Sequence, residues 1–272
     1  MRTFSRFNLF SLILGFLFLY VPIVLLIIFS FNESKLVTVW GGFSTKWYAE
    51  LLQNQGIIDA TWVTLKVAFV SATIAAVLGT VAGLTLSRFG RFRGRTLFSG
   101  MIYAPMVMPE VIIGLSLLLM FVALSVSRGI MTITIAHITF SMCYVAVVVQ
   151  SRLSSFDDSI EEAALDLGCT PAKTFLYITL PVIFPAVLSG WLLAFTMSLD
   201  DLVIASFTSG PGSTTLPMKI YSQVRLGVTP EINAVSTLLV GVVAAGVLAA
   251  AWLGKRQAQQ RVRAEQLAAQ GD

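Results

Sequence analysis

Three carboxylates stand inside otherwise apolar runs: Glu110, just after Pro105-Met-Val-Met-Pro109, and Asp200 and Asp201, within Ser198-Leu-Asp-Asp-Leu-Val203. A charge at the centre of a spanning helix costs roughly 2.5–3.5 kcal/mol on insertion scales, so such residues usually serve a function. Glu110 lies 14 residues beyond Thr96, where its run begins, and Asp200 lies 14 beyond Ala186. Both would sit about 21 Å from the same end of their helices, about two thirds of the way across a bilayer. Carboxylates at a common depth could replace the hydration of a cationic solute in transit. Asp200 and Asp201 point about 100° apart on a helix, so one of the two faces such a path, and the sequence leaves open which. It also leaves open internal pairing, with Lys66 or a neighbouring subunit, or a position near the outer interface. Pro105 and Pro109 each remove a backbone donor and predict a kink beside Glu110. Lys66, near the outer end of its run, is expected to snorkel. The single histidine, His137, is expected to be a hydrogen-bonded packing residue rather than a proton relay.

Other chemistries lack their parts. Cys143, Cys169 and His137 cannot supply a conventional Cys/His zinc site, and two cysteines make no disulfide framework. No metal site is expected. A P-loop needs G-x4-G-K-[ST], so that backbone amides and a lysine hold the phosphates. Among the lysines only Lys173 precedes a threonine, with no glycine before it, and only Lys255 follows a glycine, with Arg256 after it. The chain is therefore expected to carry no ATP site and no cofactor of its own. No Ser/His, metal-binding or paired catalytic pattern supports an intramembrane enzyme, and no residue is assigned a catalytic role.

The elements that must position the three acids are membrane helices. Of 272 residues, 56% are hydrophobic and only 12% charged, with a mean hydropathy of +0.84. A soluble domain runs nearer about a quarter charged, so a soluble enzyme is excluded. The net charge of +4 comes from basic residues in short clusters between apolar runs, which is not the pattern of a nucleic-acid binder. Six runs reach the roughly 20 residues that a span requires, at about 8–31, 60–86, 96–124, 130–150, 186–207 and 232–254. The first follows Arg2 and Arg6 but exceeds the roughly 7–15 residues of a signal-peptide core, and it reads as an uncleaved span. With the N-terminus inside, twelve Lys and Arg fall on the inner side, among them Arg88, Arg91, Arg93 and Arg95 in one short loop, against five outside. The positive-inside rule then makes both termini cytoplasmic. The expected fold is an all-α membrane protein of six helices, a single permease-like domain over 1–272 with a cytoplasmic loop at 151–185 and a polar cytoplasmic tail at 255–272. Gly79-x-x-x-Gly83 has the spacing that lets two helices approach closely.

The loop between the fourth and fifth runs holds the most information. Ser159 and Glu162 have the spacing of a capping box. Ile160, Ala163, Ala164 and Leu167 share one helical face, and Gly168 is a natural stop. Thr170-Pro171 reads as the cap and first position of a second short helix, which Leu180-Pro181 would close. The segment is a compact helix–turn–helix, too short and too polar to span.

Glu162-Ala163-Ala164, Gly168 and Ile178-x-Leu180-Pro181 reproduce, spacing included, the E-A-A-x3-G-x9-I-x-L-P signature of ABC importer membrane subunits. The resemblance implies that Glu161, Glu162, Ala163, Ala164, Gly168, Ile178, Leu180 and Pro181 belong to the element that couples to an ATPase, with the small Ala163 and Ala164 permitting close docking. Beyond this signature the chain resembles, nearly end to end, the membrane subunits of bacterial polyamine importers, and most the putrescine-type second permease. That likeness is carried by Phe31-Asn-Glu-Ser-Lys-Leu-Val-Thr-Val-Trp40, Trp47-Tyr48, Arg88-Phe-Gly-Arg-Phe-Arg-Gly94, Ser198–Ser206, Leu216-Pro217 and Pro230-Glu-Ile-Asn-Ala234. It implies a type I importer permease in the bacterial inner membrane. Its expected partners are a second homologous permease, two copies of an ATPase that binds ATP and Mg, a periplasmic polyamine-binding protein, the polyamine and membrane lipid, with no nucleic acid. The pathway would run past Glu110 and Asp200 or Asp201. The rival reading is an ion-gradient-driven carrier of a cationic solute, which gives no reason for the E-A-A signature.

Overall fold

The computed structural model describes residues 6–35, 39–227 and 230–246. They are helical almost throughout; among the described residues β pairing amounts to one isolated antiparallel bridge, Asn32 with Phe43. The chain divides into two compact units, one formed by 1–55 and 222–272 and the other by 56–221.

In the first unit, α1 (Arg6–Phe29) is apolar on every side, and each side chain from Phe7 to Leu25 is exposed within the chain. A helix with no polar face suits lipid or another subunit rather than water. Beyond α1 the backbone reverses around Asn32, which is fully buried. Its side-chain nitrogen donates to the Val39 carbonyl at 2.8 Å, and its side-chain oxygen accepts from Gly41 N at 2.8 Å. Its own carbonyl accepts from Trp47 Nε1 at 2.6 Å, tying down α2 (Lys46–Leu51). Phe31 completes the knot between the rings of Phe43 and Tyr48, at 5.3 and 5.2 Å.

The second unit begins with α3 (Gln55–Arg88), then α4 (Arg95–Val107), α5 (Glu110–Ala123) and α6 (Ile130–Ser154). The loop region holds α7 (Ser159–Asp166) and α8 (Pro171–Thr174). A π-helical turn (Phe175–Thr179) leads into α9 (Leu180–Asp200), followed by α10 (Val203–Thr208). The helix α11 (Leu216–Leu226) runs out of this unit, and α12 (Pro230–Gly246) belongs to the first. There Ile232, Ala234 and Val235 are buried and Asn54 Nδ2 donates to Glu231 Oε1 at 2.7 Å. Of the sixth apolar run, 247–254 lies outside the described residues, as does the tail 255–272.

The helices α3, α6 and α9 form the core of the second unit. Their buried residues are mostly small, with Ala72, Ala75 and Ala194 packed on Val145, Val149, Leu153 and Ile183. The glycine spacing on α3 is a contact face. A Cβ on Gly79 would stand 2.6 Å from Val145 Cβ, and one on Gly83 would stand 2.7 Å from the Ala146 carbonyl oxygen. Gly190 of α9 approaches Val145 from the other side, where a Cβ would come within 3.1 Å of its Cγ1. Val145 is thus clasped between glycines of two helices, a close approach that any larger side chain would prevent.

Two of the expected helices are broken. The run 96–124 is not one kinked helix but two, α4 and α5, bent by 116° at Met108-Pro109. Proline forces the preceding residue out of the helical region, and Met108 is extended at φ −76, ψ 139. The run 186–207 likewise does not end as one helix. It begins upstream, is continuous over 171–200, and breaks at Asp201, which is extended at φ −65, ψ 122 before α10 restarts. In this unit α10 packs on α5, where a Cβ on Gly114 would meet the Phe207 ring at 2.7 Å.

Candidate functional site

The two helix breaks carry the three acids. Glu110 opens α5, Asp200 ends α9, and Asp201 lies in the break that starts α10. Glu110 lies within electrostatic range of both Asp201 and Asp200, although the two runs along which their common depth was counted are not the continuous helices that count assumed. Their environments differ. Asp201 is turned inward: its Oδ1 accepts from Ile204 N at 3.2 Å and its Oδ2 from Ala205 N at 2.7 Å. It therefore caps α10 and satisfies donors that a helix start leaves orphaned. Its Oδ2 also lies 3.1 Å from His137 Nε2, and the two side chains are 9% and 3% exposed. His137 Nδ1 is 2.6 Å from Ser198 Oγ, and Ser71 Oγ donates to that same oxygen at 3.3 Å. Assigning the tautomer from this network, Nε2–H donates to Asp201 and Nδ1 accepts from Ser198. The chain Ser71, Ser198, His137, Asp201 locks α3, α6 and α9 to the start of α10, which makes His137 the hydrogen-bonded packing residue expected of it.

Glu110 and Asp200, by contrast, are exposed. Glu110 sits in the first turn of α5, where the helix dipole favours a negative charge. Asp200 ends α9, where the dipole disfavours one and Asp201 adds like charge, so a cation there is strongly favoured. Tyr144 of α6, half-buried, lies within electrostatic range of Glu110 and packs edge-on to Phe140 with ring centroids 5.1 Å apart. Two exposed carboxylates and an aromatic ring are the components that bind organic ammonium groups. Among the described residues Lys66 makes no ion pair with any of the three acids; it lines a separate cavity of about 480 Å³ with Asp59, Trp62, Val63 and Gly212. The sequence reading missed Ser71, Ser198 and Tyr144. The signal for the serines was available, as polar residues on otherwise apolar helical faces.

The loop between α6 and α9 folds as a hairpin. The expected Ser159–Glu162 capping box is not formed: Asp158 precedes the helix without a side-chain cap, because Ser159 itself has entered α7. Asp157 takes the part instead, its Oδ1 accepting from Ser159 N at 3.0 Å. That backbone N–H, with the Ser159 hydroxyl, holds the Asp157 carboxyl below its ordinary range. The C-terminus closes in a Schellman motif, with Cys169 N to Ala164 O at 3.0 Å, Gly168 N to Leu165 O at 2.9 Å, and Gly168 at φ +88. Thr170 caps α8 as expected, accepting from Lys173 N at 3.4 Å. Pro181 does not close the second helix. The π turn Phe175–Thr179 before it widens the backbone and accommodates a residue with no N–H, so the helix runs on into α9.

This hairpin sorts the signature residues by direction. Ile160, Glu162, Ala163 and Leu167 are exposed, Leu167 at 87%. Ala164 is buried at 6%, so the small face expected of Ala163 and Ala164 together is divided: Ala163 looks out, Ala164 packs inward. Glu161 also turns inward. Its Oε1 accepts from Thr179 Oγ1 at 2.6 Å and its Oε2 lies 2.8 Å from Arg88 Nε. Ile178 and Leu180 are half-buried, and Pro181 is exposed.

The helical fold and its E-A-A hairpin point to a class, the membrane subunits of binding-protein-dependent importers. Residues 75–262 match the family described as binding-protein-dependent transport system inner membrane component, and the chain belongs to it. It is 58% identical, over 96% of its length and 95% of the other's, to the putrescine transport system permease protein PotI of Escherichia coli K12. It is 43% identical to the spermidine/putrescine transport system permease protein PotC of the same strain, over 82% of this chain and 84% of that one. In structure it resembles a chain of a bacterial ABC transporter that imports the acidic polysaccharide alginate, with a TM-score of 0.70 at 16% identity over 91% of this chain and 98% of that one. A chain of the MetNI methionine ABC transporter gives 0.60 at 17% identity, over 72% and 92%. The fold is that of ABC importer permeases.

Proposed function

We propose that this chain is one of two permeases of an ATP-driven polyamine importer in the bacterial inner membrane, with putrescine as its solute. The observation that carries the reading is the hairpin with Glu162, Ala163 and Leu167 presented outward, on a chain 58% identical to a putrescine permease and 43% identical to a spermidine/putrescine permease. The outward face of α7 docks on a partner ATPase, two copies of which bind and hydrolyse ATP with Mg; this chain catalyses no covalent chemistry. Six spans place both termini and the hairpin in the cytoplasm, in keeping with the arginine-rich loop after α3. A loaded periplasmic binding protein delivers the solute to the outer side, and the ammonium groups pass Glu110 and Asp200, which stand in for lost water. Asp201 and His137 hold the break between α9 and α10 in shape. The test is gentle solubilisation of the tagged chain from its native membrane, with stoichiometry of what co-purifies. A P-loop ATPase at two copies and a second permease at one supports the importer. The chain alone, or as a homo-oligomer, would contradict it.

A further inference from the structure

Arg88 ends α3, yet its side chain is only 16% exposed and it engages the hairpin region instead of water. Its Nη1 lies beside Asp158 Oδ1 and donates to the Leu153 carbonyl at the end of α6 at 3.4 Å. Its guanidinium covers the Phe156 ring, 5.7 Å from the centroid. Its Nε stands 2.8 Å from Glu161 Oε2 but off the N–H axis, so that contact is an ion pair rather than a hydrogen bond. Glu161 is 15% exposed and also holds Thr179, the last residue before α9. One guanidinium and one carboxylate thus join the inner ends of α3, α6 and α9 to the first turn of α7. This is no surface pair of small effect: removing Arg88 strands the half-buried Glu161 carboxylate, and removing Glu161 leaves the guanidinium only the largely exposed Asp158 as a counter-charge. Nor is Arg88 needed to finish its own helix: Arg95 Nη2 takes the Leu86 carbonyl at 2.8 Å and Arg95 Nη1 takes Gly90 O.

The loop is continuous with α6 and α9 through the backbone, but α3 reaches it only through side chains. We propose that Arg88 is a positioning residue for energy coupling, making α3 move with α7 through Glu161 when the partner ATPase displaces the hairpin. This rests on the reading that the outward face of α7 docks on that ATPase. Glu162 and Glu161 then divide the work: the first meets the partner, the second passes its motion inward.

The test uses the complete complex in proteoliposomes, with labelled putrescine taken up per ATP hydrolysed as the readout. In assembled complexes, Arg88→Gln and Glu161→Gln should each lower that ratio about tenfold, with the double variant no worse than the poorer single one. Arg88→Lys should recover part of the loss. A purely structural role would reduce the amount of complex while leaving solute per ATP unchanged in what assembles, and that result overturns the proposal. If Arg88→Gln fails to assemble, Thr179→Val, which keeps both charges, decides: the proposal predicts about a twofold fall for the loss of one hydrogen bond, and an unchanged ratio overturns it. Glu162→Lys separates this proposal from the docking reading beneath it. Normal assembly and uptake by Glu162→Lys would overturn both, whereas its failure beside unaffected Arg88 and Glu161 variants would overturn the Arg88 role alone.

Discussion

Asp200 and Asp201 are adjacent, acidic and set in the same apolar surroundings, yet the backbone break between α9 and α10 gives them opposite roles. Asp201 accepts from two backbone amides and lies beside His137, so its charge is satisfied inside the fold. Replacing it with Ala removes a helix cap and strands a buried imidazole, and should cost about 1–3 kcal/mol, read as a lowered Tm of the purified chain in detergent. His137→Phe should do the same, since it removes one buried hydrogen-bond partner each from Asp201 and Ser198. Glu110→Gln and Asp200→Asn should leave Tm nearly unchanged but reduce putrescine uptake about tenfold or more, because both side chains face open space. Unchanged uptake in both would remove the acids from the pathway. The sequence showed that three carboxylates interrupt apolar runs, but the equal count of 14 residues does not carry over, because α4 ends before Glu110 and the helix that ends at Asp200 begins upstream of Ala186. It could not show which aspartate turns inward, since the 100° argument assumes an unbroken helix and the helix breaks at Asp201 itself.

At the scale of elements, the close α3–α6–α9 packing depends on absent side chains. Gly79→Leu would drive several carbons into Val145 and the Met142 carbonyl, and overpacking of this kind costs about 1–3 kcal/mol or more. Expression of folded chain should fall, as followed by size-exclusion chromatography, while Gly100→Leu, with open space around it, should be tolerated. The hairpin offers a pH test. Because the folded-state value of Asp157 is depressed, its contribution to the α7 turn is present above the unfolded value near about 3.9 and is lost as pH falls through the lower folded value. Amide exchange at Ser159 should quicken over that acid range, and an Asp157→Ala variant should lack the transition. The legible parts of these elements were those set by local chemistry: apolar runs, the Thr170-Pro171 start and the Gly168 reversal. The Ser159 cap and the Pro181 stop were misjudged because neighbouring local geometry replaced them: Asp157 supplied the acceptor two residues earlier, and a π turn relieved the proline. Arg88 was read as a topological charge and as part of the Arg88–Gly94 resemblance, without its ion pairs, since its partners lie 70 and 73 residues away in sequence, at Asp158 and Glu161.

At the scale of the whole molecule, the proposed function joins two ends of one device. As proposed, an exposed apolar and acidic stripe on α7 serves a soluble partner at one end, and at the other the carboxylates at the helix breaks serve a cation. The α3–α6–α9 core connects them, with Arg88 at the inner end and the Ser71–Ser198–His137–Asp201 chain at the breaks. The central claim is that ATP hydrolysed by a partner drives a polyamine through this chain. Its most direct test is uptake of labelled putrescine into proteoliposomes holding the purified complex, with the binding protein outside and ATP sealed within. The account predicts accumulation that requires both, that vanishes with a non-hydrolysable nucleotide, and that Glu162→Lys abolishes. Accumulation driven by a proton or sodium gradient without ATP would contradict it.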